Sequence, residues 1–224
     1  SDYYLSYMNM EALNDLGIGP LLPGLSALDA IDTIEELIQG FGRALVDNTA
    51  TPFGFYVGAD RSDPDKHQLV LSVGGVSLPD RDYYLVNTEQ YENVRLEYVA
   101  HITRVLDLAG IKNTQAKAEA VLNLETQIAQ HTWPRDQRRN RDLTYNPMNY
   151  EDFKSQFQGL DWDTYFAAAG ITDLKDLNVS YPSAMSPIIE LVNTVAVDDW
   201  KNFMTYRFIV DSASVLSEEI DREQ

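Results

Sequence analysis

The chain has 224 residues, no cysteine, and 35 acidic against 17 basic side chains, for a formal net charge of −18. Disulfides, thiolate metal sites and cysteine nucleophiles are therefore excluded, and nucleic-acid binding or docking on an anionic membrane, both of which need a basic footprint, is disfavoured. An apolar content of 44% and a charged content of 23% suit one large or two small globular domains with a buried core.

No apolar run approaches the roughly 18 residues of a membrane span, and no secretory leader is visible. Residues 1–16 are expected to be helical, with Gly17 and Gly19-Pro20 as the stop. A chain that starts at Ser1 inside such a helix reads as a processed or excised piece of something longer. The segment "LLPGL" then reads as a turn. Asp32 is expected to cap a helix over "TIEELIQGFGRALV", with Glu35 three residues on completing a capping box. Gly40 and Gly42 inside it imply close packing against a neighbour.

"FGFYVGAD" (53–60) and "HQLVLSV" (67–73) are the only convincing strands, and the turn-rich "RSDPDK" between them makes a hairpin. Past "GGVSLPDRDYYL" the chain is expected to be largely helical. Tyr91, Val94, Tyr98, Ile102, Val105 and Ala109 recur at helical spacing over residues 89–109. Gly110 ends that helix, and a second over 114–131 completes an α-hairpin. "WPRDQRRNRDLTYNP" is a polar connection in which Pro134 and Pro147 exclude continuous helix. Shorter helices are expected at 149–157 and 161–169, then a long helical stretch from Pro182 toward the C-terminus, broken near Val197-Asp198. The fold class is mainly α, a multi-helical domain with one small β-hairpin at about residues 53–73. There is no internal repeat.

The three histidines, His67, His101 and His131, match no local metal motif. His101 reads as a packed, hydrogen-bonded side chain, and His131 as a helix-terminal residue meeting the negative end of the dipole. Asp60, Asp63 and Asp65 lack the spacing, glycine and distal glutamate of a calcium loop, so a solvated turn is expected. Glu125 lies between Val121 and Ile128, in the middle of its helix's apolar arc. A bare carboxylate there would cost several kcal/mol. Arg135, Arg138, Arg139 and Arg141 follow closely, and one of their guanidiniums is the expected partner in a bidentate pair. A general-acid role with a raised pKa is the alternative, but no second carboxylate stands out. No phosphate loop, nucleophile elbow or Ser/His/Asp arrangement is present. From the residues alone, the chain shows no active site, no catalytic residue and no metal or cofactor ligand.

"PFGFYVGADRSDPDKHQLVLSVGGVSLPDRDYYL" (52–85) resembles the N-terminal region of the neprilysin and endothelin-converting-enzyme family of zinc metallopeptidases. The resemblance runs through Gly58, Asp60, Gly75, Leu78, Pro79, Arg81, Asp82, Tyr83 and Tyr84. "YYLSYMNMEALNDLGIGPL" (3–21), with Tyr7 where the family has cysteine, is similar to another family segment. So are "LNLETQIAQHTW" (122–133), which contains Glu125, "RDLTYNPMNYEDF" (141–153), which contains Tyr145 and Asn146, and "WKNFMTYRFIVDSASVLS" (200–217).

The resemblance implies that residues 1–224 are part of the N-terminal, non-zinc-binding helical domain of a metalloendopeptidase that hydrolyses peptides. It implies zinc in the full-length enzyme, held by a His-Glu-x-x-His helix and a Glu-x-x-x-Asp helix that are absent from this chain. The implied partners are the C-terminal zinc domain of the same protein, with which it encloses a substrate chamber, and peptide substrates. An extracytoplasmic location and a bacterial-type member are also implied, the latter by the missing cysteines. The chain alone is expected to bind no zinc and cleave nothing.

Two other functions stay open, a stand-alone helical peptide- or protein-binding module and a carboxylate hydrolase built on Glu125. At the corner, Pro79 presets φ, Asp80 and Asp82 are available as caps and Arg81 as partner to a carboxylate. With Tyr83 and Tyr84, these residues are expected to form a rigid corner at the end of the hairpin.

Overall fold

In a computed structural model, residues 16–213 and 216 are described. The helix expected over 1–16 lies outside them, apart from Leu16. A 3₁₀ turn at Gly19–Leu21 leads into α1 (Leu22–Asp29). "LLPGL" is thus a helix start rather than a turn, because Pro23 in the first helical positions has no N–H to lose and its φ is already helical.

Helix α2 (Ile34–Val46) is capped by Thr33, one residue later than expected. Thr33 Oγ1 accepts from the Glu36 amide at 3.2 Å, while Glu36 Oε2 accepts from the amides of Thr33 at 3.0 Å and Asp32 at 2.9 Å. The shifted box wins because one carboxylate then serves two N–H groups that the helix cannot.

The hairpin is β1 (Phe53–Ala59) and β2 (His67–Val73), antiparallel with Phe53 opposite Val73. It belongs to a larger sheet. Two short strands, β3 (Pro147–Asn149) and β4 (Asp176–Val179), extend it in the order β1-β2-β4-β3, with β4 parallel to β2 and β3 antiparallel to β4. The expectation of a single hairpin is corrected to this four-stranded sheet. Neither added strand is long enough to show alternation, and β4 is buried along Leu177, Asn178 and Val179, as parallel strands tend to be.

Helix α3 (Asp82–Leu85) follows the corner, then α4 (Glu89–Leu108) and α5 (Thr114–His131) form the α-hairpin with limits close to those expected. Between them Gly110 and Asn113 take positive φ, at 70° and 57°, so the reversal needs residues that tolerate the left-handed region. The polar connection contains a short α6 (Arg135–Arg139). Helices α7 (Tyr150–Gln156) and α8 (Trp162–Ala168) flank the sheet. The final stretch is two helices, α9 (Pro182–Thr194) and α10 (Val197–Asp211). The break falls at Val195 and Ala196, both extended, which places Asp198 and Asp199 in the first turn of α10 where the dipole favours them.

Helix α5 is the hub. Val121 and Ile128 are fully buried, each worth roughly 2 kcal/mol of apolar burial, and α3, α4, α9 and α10 all pack against their helix. The close packing expected at α2 is also found. A Cβ on Gly42 would collide with the Tyr165 carbonyl and lie 2.8 Å from Ala168 Cβ on α8.

Candidate functional site

The corner is built by geometry that only glycine permits at its entry. Gly75 has φ of +92°, and a Cβ there would sit 3.2 Å from Pro52 Cα. The chain then passes Ser77, Leu78 and Pro79 and enters α3 at Asp82. Tyr84, 4% exposed, folds its ring back under this loop. Its hydroxyl accepts from the amides of Ser77 at 3.0 Å and Leu78 at 2.8 Å and donates to Glu125 Oε2 at 2.7 Å.

Glu125 is fully buried on α5. Oε2 accepts a second bond from Tyr98 OH at 2.9 Å, and Oε1 accepts from Ser77 Oγ at 2.6 Å. The guanidinium expected from the cluster at 135–141 is not there. The nearest cationic contribution comes from Arg207 on α10, whose NH1 donates to Ser77 Oγ at 2.6 Å. Arg207 NH2 pairs with Asp211 Oδ1 at 3.0 Å, and Asp211 Oδ2 accepts from the Ala50 amide at 2.9 Å. A continuous polar chain thus crosses the core from Ala50 to Tyr98. Desolvation raises the Glu125 carboxyl above its ordinary value, against the lowering effect of its three hydroxyl donors and of Arg207. Burial, followed by the charge of Glu125, likewise pushes the Tyr84 and Tyr98 hydroxyls up.

The arginine cluster serves the corner instead. Arg138 NH2 lies 3.0 Å and Arg135 Nε 3.7 Å from Asp80 Oδ2. Asp80 Oδ1 accepts from the Asp82 amide at 3.5 Å. Among the described residues Arg81 pairs with no carboxylate, and its NH1 donates to the Thr132 carbonyl at 2.7 Å, just past the end of α5. Tyr83 packs on Tyr91 with centroids 4.9 Å apart, and its carbonyl accepts from Arg95 NH1 at 2.8 Å.

The remaining singled-out residues meet at the far end of the hairpin. Tyr145 OH donates to Asp60 Oδ1 at 2.7 Å, which also accepts from the Ser62 amide and hydroxyl. Those bonds, led by the Ser62 amide, hold the Asp60 carboxyl below its usual range. Asn146 Nδ2 donates to the carbonyls of Leu143 and Val179, fastening β4 to the preceding turn.

The structure therefore separates the singled-out residues into two groups. Pro79, Asp80, Arg81, Asp82, Tyr83 and Tyr84 gather around Glu125 and the end of α5. Asp60, Tyr145 and Asn146 gather at the hairpin tip. Ser77, Tyr98, Arg207 and Asp211 were missed, although the i,i+4 spacing of Arg207 and Asp211 is that of a helical ion pair.

Glu125 has no exposed surface and, among the described residues, faces no second carboxylate, so the hydrolase arrangement is not formed by them. Among the described residues no group of three or more His, Asp or Glu side chains could hold a metal ion. The described residues therefore supply no donor set that fits zinc.

The model of the N-terminal part of peptidase family M13 matches residues 1–224. Human endothelin-converting enzyme 1 is 24% identical over 231 residues, covering 96% of this chain and 30% of the relative. Neprilysin-3 of Drosophila melanogaster is 32% identical over 116 residues, covering 51% of this chain and 15% of the relative. Among solved structures, the Mycobacterium tuberculosis zinc metalloprotease Zmp1 in complex with an inhibitor superposes with a TM-score of 0.91 at 28% identity. That superposition covers 99% of this chain and 34% of the protease. The chain spans about a third or less of the proteins it matches.

Proposed function

This chain belongs to peptidase family M13, and on that premise we propose that it is the N-terminal helical domain of a zinc metallopeptidase that hydrolyses peptides, with the catalytic residues on a further domain. The observation that carries this reading is the superposition on Zmp1, which takes in 99% of this chain yet only 34% of that protease. In the proposal the domain packs against a C-terminal zinc domain and helps enclose the substrate chamber. Zinc acts there as Lewis acid and activator of water when bound. The corner and the buried polar chain hold α3, α4, α5 and α10 in fixed relation, so that the surface offered to that second domain is rigid. A bacterial source belongs to the same proposal, supported by the Mycobacterium structure among those matched and by the absence of cysteine, and an extracytoplasmic location belongs to it through the family resemblance. Among the described residues no helix is long and apolar enough to cross a membrane.

The test is the intact mass of the protein made by its source, together with peptide cleavage. We expect a mass far above 25.3 kDa, cleavage abolished by a chelator and restored by zinc, and no cleavage by these 224 residues alone. A native mass equal to this chain without chelator-sensitive cleavage overturns the reading in favour of a stand-alone binding module.

A further inference from the structure

Strand β1 is the outer strand of the sheet, and among the described residues no strand pairs with its free side. The Asp60 amide donates to the Lys66 carbonyl and the Gly74 amide to the Pro52 carbonyl. With the register Phe53 to Val73, even-numbered residues of β1 therefore exchange bonds with β2, and odd-numbered ones face away. At the start of the strand the outward carbonyl of Phe53 is taken by Tyr165 OH at 2.8 Å. Beyond it, no described residue bonds the outward N–H and C=O groups of Phe55, Val57 and Ala59.

Outer strands are commonly blunted by a lysine, a proline or a bulge. Here "FGFYVGA" carries none of these, and its pairing with β2 runs unbroken from Phe53 to Ala59. Tyr56 and Val57, on opposite faces of the strand, are 58% and 59% exposed. The strand is nonetheless held firmly. Asp60 is bonded by Tyr145, and Arg61 NH1 donates to the Arg141 carbonyl at 2.7 Å and to Thr144 Oγ1 at 3.0 Å. A rigid, apolar, unprotected edge is a template for strand addition.

We propose that the outer edge of β1 docks an extended basic peptide segment as an added strand. The main-chain groups of Phe55, Val57 and Ala59 supply the hydrogen bonds, and Tyr56 and Val57 the flanking apolar contacts. Charge selects the occupant. At a net −18 a second copy of the chain is repelled, whereas a lysine- or arginine-bearing segment is attracted. This docking function goes beyond the peptidase reading and does not depend on it.

The test titrates the 224-residue chain with a short peptide of alternating lysine and valine. A second peptide has the same sequence, methylated on alternate backbone nitrogens so that its charge is kept and its pairing edge is lost. The expected result is saturable binding of the first, roughly tenfold weaker binding of the second, and slowed amide exchange at Val57 and Ala59. Val57→Pro, which removes an outward N–H, should weaken the first peptide to the level of the second. The comparison of peptides needs no variant and stands if Val57→Pro misfolds. Equal binding of both peptides reduces the effect to surface charge and overturns the proposal, as does no binding. Self-association of the chain lost in Val57→Pro overturns it in favour of a second copy.

Discussion

Tyr84 and Glu125 meet at 2.7 Å in the core, and the tyrosine hydroxyl that donates to the carboxylate also accepts from two consecutive amides of the corner. One oxygen thus ties a loop to a helix 41 residues away.

The two tyrosines on Glu125 should differ in what their hydroxyls contribute. Tyr84→Phe strands the amides of Ser77 and Leu78 as well as removing a bond to Glu125, and should cost about 3 kcal/mol. Tyr98→Phe removes one bond to Glu125 and strands no backbone amide, and should cost about 1 kcal/mol. Urea unfolding of both variants checks the ranking; equal losses would mean that the two amides find other partners.

The raised carboxyl of Glu125 sets a pH dependence with a definite sign. Burial, the largest influence, holds its pKa above the ordinary 4.5, so the folded chain keeps this proton more tightly than the unfolded one. Stability from this group is full below that ordinary value and is lost as pH rises through the raised one. Glu125→Gln has no such titration. It should be less stable than the parent at low pH, with the gap narrowing as pH rises through that window. A gap that is flat or widens with pH contradicts the assignment.

Ion pairs in this chain should separate by burial. Asp80 and Arg138 side chains are 15% and 30% exposed at a separation of 3.0 Å, so Asp80→Ala should cost about 1–2 kcal/mol. Asp63 and Lys66 are 42% and 74% exposed at 2.9 Å, and Lys66→Ala should leave the unfolding midpoint unchanged within error. Thermal melts at low and high salt distinguish them.

Gly42→Ala should destabilise the chain even though alanine is the better helix former by about 1 kcal/mol. The new methyl would meet the Tyr165 carbonyl, which α8 holds in place, and a loss of roughly 2 kcal/mol follows from overpacking. A stabilised variant would show that α2 and α8 separate easily.

Much of the fold was legible from local signals. The limits of α4, α5, β1 and β2 follow from periods of 3.6 and 2 and from Gly110 and the loop at 60–66. The capping box was legible as a motif but ambiguous by one position, since Asp32/Glu35 and Thr33/Glu36 both have the right spacing. The burial of Glu125 could be read from its place on the helical wheel, because that depends on its own helix. Its partners could not.

The sequence by itself determined the order of α2, β1, β2, α4 and α5, the helical class, the buried position of Glu125 and the resemblance that the family match later established. Each rests on spacing along the chain. Only the tertiary structure decided that Glu125 is met by Ser77, Tyr84 and Tyr98 rather than by an arginine, that Arg207 acts through Ser77, and that β3 and β4 complete the sheet. The Glu125 contacts join residues 27 to 48 positions apart, and the Arg207 contact spans 130. A hydrogen bond acts only within about 3 Å, so which donor reaches a buried oxygen depends on how whole helices pack, a distance that no local pattern encodes.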